Sequence, residues 1–214
     1  MHSSSYLKNV YGGKKQKIKE RLKEFADVWN KPDEDIFAEL CFCLLTPQSK
    51  ARAADKAIKK IREKNILISG KIDEILGELN ISGVRFPENK AKYIIEARVF
   101  FTHNGKIDIK SKLDKGTAFA KREWLVQNVK GLGYKEASHF LRNIGLGFEL
   151  AILDRHVMKN LMEYGVIEEI PKCLSKKCYL FFEEKVKKFS KKINIPIADL
   201  DLLFWSEETG EIFK

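Results

Sequence analysis

Asn128-Val129-Lys130-Gly131-Leu132-Gly133-Tyr134-Lys135-Glu136-Ala137 sets two glycines around one apolar residue, with helical patterns on both sides. Upstream, Phe119, Trp124, Leu125 and Val129 keep a helical period; downstream, Ala137, Phe140, Leu141 and Ile144 do the same. The spacing predicts one helix over roughly 117–130 and another from Tyr134, joined by a tight hairpin. Glycine permits positive φ and lets another molecule approach the main chain. The second helix opens with N–H groups that lack helical partners and with the positive end of its dipole. A phosphate oxygen suits such a hairpin, and contacts of that kind hold a duplex without reading its sequence. On the glycines alone, an ordinary turn between core helices is the favoured reading.

The rest of the chain reads as helix after helix. Ile18, Leu22, Phe25 and Trp29 share a face, and Pro32-Asp33 supplies a break and a cap. Ile36, Phe37, Leu40, Cys41, Leu44 and Leu45 form an apolar helix ending near Thr46-Pro47. Further stripes are Ala54, Ala57, Ile58 and Ile61, then Ile72, Ile75, Leu76 and Leu79. After Gly83 and Pro87, the stripe Ala91, Ile94, Ile95 and Val99 repeats the pattern. Later helices are expected over 155–164, 175–192 and 197–206. Alternating strand patterns are absent, and Ala151-Ile152-Leu153 is at most a short extended piece. The expected class is all-α. With no low-complexity linker, any lobes are packed together rather than tethered.

The 214 residues carry 40 Lys plus Arg against 30 Asp plus Glu, a formal charge of +10. That surplus favours a polyanionic partner, nucleic acid or an acidic membrane surface, unless it is a solvated Lys-rich face. Lys14, Lys15, Lys17, Lys19, Arg21 and Lys23 either track phosphates or, the favoured reading, form such a face opposite Ile18, Leu22 and Phe25. No apolar run approaches the roughly 18 residues of a membrane span. Cys41, Cys43, Cys173 and Cys178 match neither zinc nor iron–sulfur spacings and read as buried free thiols in an intracellular protein.

Lys135 follows the second glycine by two residues, and Asp154 follows Lys135 by nineteen, inside Leu153-Asp154-Arg155-His156-Val157. Glycine hairpin, Lys and Asp together resemble the helix-hairpin-helix DNA glycosylase superfamily. Most of the chain is similar to its archaeal-type 8-oxoguanine DNA glycosylases. The similarity is carried by GLGYKEASHFLRNIG at 131–145, ILDRHV at 152–157, the ELCFCLLT run at 39–46 and the ending DLLFWSEETGEIFK at 201–214. The resemblance implies two helical subdomains flanking a DNA-binding cleft, one over 33–130 and the other 1–32 with 134–214. The helix-hairpin-helix motif, 117–145, would lie at their junction. It implies a bifunctional glycosylase and lyase, monomeric and cytoplasmic, acting on double-stranded DNA with a damaged base. No cofactor is required and no metal ligand set is expected, although a monovalent cation at the hairpin carbonyls is compatible with the resemblance.

Breaking an N-glycosidic bond builds positive charge on the sugar, which a carboxylate stabilises; Asp154 is the candidate. A neutral Lys135 amine can add at C1′, giving an imine whose β-elimination cuts the strand. His139 sits one helical turn after Lys135 and reads as packing or capping, and His156 as packing or a phosphate contact. The target nucleotide must leave the duplex and the gap must be filled. Gln48, in the polar loop Thr46–Lys50, is either that wedge or a solvated turn residue. Arg85-Phe86 lies in a loop, and the resemblance implies that Phe86 stacks on the extruded base opposite Trp205; core packing is the alternative for both. The resemblance also implies that Lys214, where the chain stops, takes part in base reading, since one acceptor near N7–H distinguishes 8-oxoguanine from guanine; otherwise it is a frayed tail. An endonuclease III-like enzyme for oxidised pyrimidines shares Lys135 and Asp154, and a non-catalytic hairpin module leaves both unexplained.

Overall fold

The computed structural model describes residues 3–214, so the first two residues of the expected 1–32 segment lie outside it. In order the elements are α1 (Ser4–Val28), α2 (Asp33–Leu45), α3 (Ala51–Glu63), α4 (Ile66–Ser69), α5 (Ile72–Ile81) and α6 (Pro87–Phe101). Then come β1 (Thr102–His103), β2 (Lys106–Ile107), α7 (Lys110–Leu113), α8 (Ala118–Asn128), α9 (Tyr134–Asn143), α10 (Arg155–Glu163), α11 (Lys176–Ile193) and α12 (Ile197–Thr209). The chain divides into two compact units, Val28–Phe140 and the chain up to Asp27 with Leu141–Lys214. The fold is predominantly α-helical.

In the unit Val28–Phe140 the core is built from Phe37, Leu40 and Leu44 of α2, Ala54, Ala57 and Ile61 of α3, Leu79 of α5, and Ile94 and Phe101 of α6. Asp33, Glu34 and Asp35 fill the first turn of α2, where the helix dipole favours negative charge. Asp33 does not cap α2 as its position suggests: its Oδ1 accepts from the Ile109 and Lys110 amides, both at 2.8 Å, and so starts α7. The stripe expected on α6 is rotated. Lys90, Ala91, Ile94, Ala97 and Phe101 are its buried residues, and Val99 is 70% exposed.

One small sheet interrupts the helices. Thr102 pairs with Ile107 and His103 with Lys106, antiparallel. The turn is Asn104-Gly105, with φ of 49° and 77°. Two successive left-handed residues match the twist of a hairpin, and Asn-Gly is the usual pair there.

The second unit joins α1 to α12. The Tyr11 hydroxyl donates to Asp199 Oδ2 at 2.7 Å, and Lys19 meets Asp199 Oδ1 at 2.9 Å. Burial, then the Asp199 carboxylate, pushes the Tyr11 hydroxyl well above its ordinary pKa. Lys14 donates to Ser206 Oγ at 3.1 Å and pairs with Glu207. The basic run of α1 is therefore only partly solvated: Lys14, Lys19 and Arg21 tie it to acceptors in or just beyond α12. Gly145, at φ +76°, lets the chain leaving α9 approach α1, since a Cβ there would lie 2.6 Å from Ala26 Cα. All four cysteines are free. Cys41 and Cys43 are buried as expected, but Cys173 is exposed and Cys178 half-buried. Among the described residues no helix is long and apolar enough to cross a membrane.

Candidate active site

The hairpin is held from both sides within its unit. Thr117 caps α8 by accepting from the Ala120 amide, and α8 ends at Asn128 as Val129 turns extended. Leu132 N–H then donates to Val129 C=O at 3.2 Å, and Ala137 N–H to Gly133 C=O at 2.9 Å, which starts α9. Gly131 has φ +87°, and a Cβ there would stand 2.5 Å from the Tyr93 ring of α6. Gly133 lies outside the left-handed region, and a Cβ there would meet only the flexible end of Glu136, with Oε2 at 3.1 Å.

Behind the hairpin, Arg122 is 2% exposed and lies between the Phe119 and Tyr134 rings, 5.5 and 5.3 Å from their centroids. It also donates to Ser138 Oγ at 3.2 Å, while the Tyr134 hydroxyl bonds Glu123. These contacts fix α9 against α8 and thereby set where Lys135 stands, in the first turn of α9. Its side chain is partly buried, with Nζ 3.7 Å from Glu136 Oε1. His139 is buried edge-on against Phe42, ring centroids 5.7 Å apart, which is the packing reading of that residue.

Two loops of the same unit carry the other candidates. Thr46–Ser49 is a turn closed by Ser49 N–H to Thr46 C=O at 3.0 Å. Its third residue, Gln48, is exposed and has φ +56°, where glycine usually sits. Phe86, just ahead of α6, is also left-handed, with φ 56° and ψ 50°, and is 49% exposed. Core packing is excluded for it. Arg85 is exposed, its guanidinium 5.5 Å from the Phe86 ring centroid.

In the other unit Asp154 stands at the N-terminus of α10, its Oδ1 accepting from the Val157 amide at 2.8 Å. The preceding Ala151-Ile152-Leu153 has no strand partner among the described residues, and α11 pairs with three of its backbone groups. Glu183 accepts from the Ala151 amide at 3.0 Å, and the Tyr179 hydroxyl donates to Ala151 C=O at 2.6 Å and accepts from Leu153 N–H at 3.3 Å. His156 faces Trp205 edge-on at 6.3 Å, its Nδ1 3.8 Å from Glu208 Oε2. Trp205 is half-buried, 6.1 Å from the Phe213 ring. Phe213 is buried and its carbonyl accepts from Arg21 Nε at 2.7 Å, so the segment carrying Lys214 is anchored rather than frayed.

The family model described as 8-oxoguanine DNA glycosylase matches residues 18–195. The chain belongs to that family. The 8-oxoguanine DNA glycosylase/AP lyase of Fusobacterium nucleatum subsp. nucleatum is 46% identical over 210 residues, covering 97% of this chain and 96% of that one. The crystal structure of the Thermotoga maritima 8-oxoguanine DNA glycosylase superposes with a TM-score of 0.87 at 36% identity, covering 99% of this chain and 98% of the other. The Methanocaldococcus jannaschii glycosylase/lyase in complex with a 15mer DNA containing 8-oxoguanine gives 0.87 at 36% identity, covering 98% of this chain and all of that one. The protein is a base-excision repair enzyme, a bifunctional DNA glycosylase and AP lyase.

Several side chains that build the glycosylase's candidate site do not announce themselves in its sequence. Lys90 is 4% exposed and donates to Leu45 C=O and Pro47 C=O, both at 2.7 Å, and to Ser49 Oγ at 2.8 Å. Burial first, then the Arg85 charge, pushes its amine down from 10.5 to about 8; Glu136 pulls it up and Lys135 pushes it further down. Tyr93 backs Gly131, and Tyr179 and Glu183 hold the segment leading to Asp154. A lysine at a buried helical position is the one signal that pattern reading offers for Lys90, since it continues the Ala91, Ile94 stripe.

Proposed function

We propose that the enzyme excises 8-oxoguanine from double-stranded DNA with Lys135 as nucleophile and Asp154 as electrostatic partner. The neutral Lys135 amine adds at C1′ as the bond to the base breaks, and the base leaves with a proton. The Asp154 carboxylate offsets the positive charge that develops on the sugar. The sugar opens to an imine; loss of a C2′ proton then expels the 3′ phosphate, and hydrolysis of the imine returns the lysine. The hairpin amides from Gly131 to Gly133 take a phosphate, with His156 as a further phosphate contact and room for a monovalent cation on the hairpin carbonyls. Gln48 fills the vacated stack and Arg85 lies beside the duplex. Phe86, Trp205 and Lys214 read the base. The enzyme works as a cytoplasmic monomer with no other cofactor.

The observation that carries this reading is Lys135 in the first turn of the helix after the Gly131-Leu132-Gly133 hairpin, in a chain of this family. Borohydride reduction of the imine tests it. Wild-type protein should form a covalent adduct on an 8-oxoguanine duplex, and Lys135→Gln should form none. A trapped adduct in Lys135→Gln sinks the nucleophile assignment, and adduct on thymine glycol duplexes alone moves the substrate to oxidised pyrimidines.

A further inference from the structure

Lys90 joins two loops that are distant in sequence. Its three hydrogen bonds end on Leu45, Pro47 and Ser49, all at the close of α2 or in the turn that displays Gln48. Ser49 Oγ also accepts from the Arg85 amide at 2.9 Å, so one hydroxyl connects the Lys90 amine to the loop displaying Arg85 and Phe86. Gln48 and Phe86 both have φ of 56°, which non-glycine residues adopt at a cost and keep only when surroundings over-determine them. An ammonium group has three donors and no acceptor, and here three acceptors surround it. The bonds hold the turn from inside its unit, leaving the Gln48 side chain exposed.

We infer that Lys90 is a positioning residue for lesion recognition, locking the Gln48 turn and, through Ser49, the Arg85-Phe86 loop in the geometry that accepts a flipped nucleotide. It touches neither sugar nor base. The inference rests on the roles proposed for Gln48 and Phe86, and adds a single residue that sets both at once. A side chain without the ammonium takes the shared donor from the Leu45 and Pro47 carbonyls and from Ser49 Oγ at once, and so loosens the turn. Extruding an intact 8-oxoguanine nucleotide needs the wedge and the stacking platform; an abasic nucleotide leaves the stack at much lower cost. Lys90 should therefore matter for base excision and little for reaction at an existing abasic site.

Single-turnover kinetics of Lys90→Met, Gln48→Ala and the double variant test this, with borohydride trapping on a preformed abasic duplex as control. Lys90→Met should slow 8-oxoguanine excision by about tenfold or more, as misplaced catalytic geometry does, while abasic trapping stays near wild type. Adding Gln48→Ala should slow Lys90→Met no further, because both act through one turn. Losses that multiply, or undiminished excision in Lys90→Met, overturn the inference. If Lys90→Met does not melt cooperatively, Ser49→Ala, which removes only the shared hydroxyl, takes its place with the same two outcomes. Absence of adduct in the wild type itself is a failure of the Lys135 assignment, separable from a failure at Lys90.

Discussion

The Tyr179 hydroxyl donates a 2.6 Å hydrogen bond to the carbonyl of Ala151, three residues ahead of Asp154. It also accepts from Leu153 N–H, and Glu183 takes the Ala151 amide, so α11 substitutes for a strand neighbour along this extended piece. Tyr179→Phe removes the hydroxyl and leaves a buried carbonyl and a buried amide unpaired. The expected cost is about 1–3 kcal/mol of stability, read in urea unfolding. Excision at saturating duplex should also slow, because the segment that aims Asp154 loosens, while duplex affinity stays near wild type.

Asp154 has a structural duty separable from its charge. It caps α10 through Val157 N–H, and asparagine caps a helix as well as aspartate does. Asp154→Asn should therefore keep its melting temperature within experimental scatter and lose glycosylase rate by about 100-fold or more, the scale of a removed electrostatic stabiliser. Asp154→Ala should lose the same rate and about 1 kcal/mol of stability besides. A large stability loss in Asp154→Asn would mean that the carboxylate's charge is structural.

Gly131→Ala faces two obstacles at once. Its φ of +87° disfavours any side chain, and the new Cβ would be 2.5 Å from the Tyr93 ring. The variant should lose about 1–3 kcal/mol and bind duplex more weakly, as measured by fluorescence anisotropy. Adding Tyr93→Ala should recover part of the stability by opening that space, leaving the backbone strain.

The all-α class and most helix positions follow from the 3.6-residue pattern because buried apolar stripes repeat for several turns in α2, α3 and α9, whereas α8 buries Ala118, Arg122 and Leu125 and leaves Phe119 of its expected stripe exposed. The pattern fails where burial is polar or short. Lys90 occupies a core position of α6 whose apolar stripe, taken without it, points toward Val99 on the exposed side. Gly12-Gly13 sits within α1 and breaks a stripe that Leu7, Tyr11, Ile18 and Leu22 otherwise continue, so the helix begins well before its clearest sequence signal. The Asn104-Gly105 hairpin is legible only as a turn dipeptide, because its strands are two residues each. Lys135 and Asp154 stand out by spacing, but the residues aiming them, Arg122, Tyr179 and Glu183, depend on partners far along the chain.

The depressed pKa of Lys90 gives a stability signature with a definite sign. Folded at about 8 against 10.5 unfolded, the amine binds fewer protons in the native state between those values. Stability then rises with pH across that window, and the penalty for the buried charge is fully present below about pH 8. Urea midpoints taken from pH 7 to 10 should climb for wild type relative to Lys90→Met. Parallel curves for the two proteins would place Lys90 in a more solvated setting than its three buried hydrogen bonds imply.

Arg21 anchors the segment that ends in Lys214 by donating to Phe213 C=O at 2.7 Å, with its guanidinium 4.5 Å from the Phe25 ring centroid. Arg21→Met keeps the packing of the alkyl stem and removes the donor. The Phe213 carbonyl then loses this donor, and the hold of α1 on the residues after α12 weakens. If Lys214 reads the base, 8-oxoguanine excision should fall by about tenfold, the scale of one lost hydrogen bond to a charged group. Cleavage of an abasic duplex, which presents no base to read, should hold within about twofold of wild type. Deleting Lys214 should give the same split between substrates. Equal losses on both would show that the segment serves the fold of its unit and not the reading of the lesion.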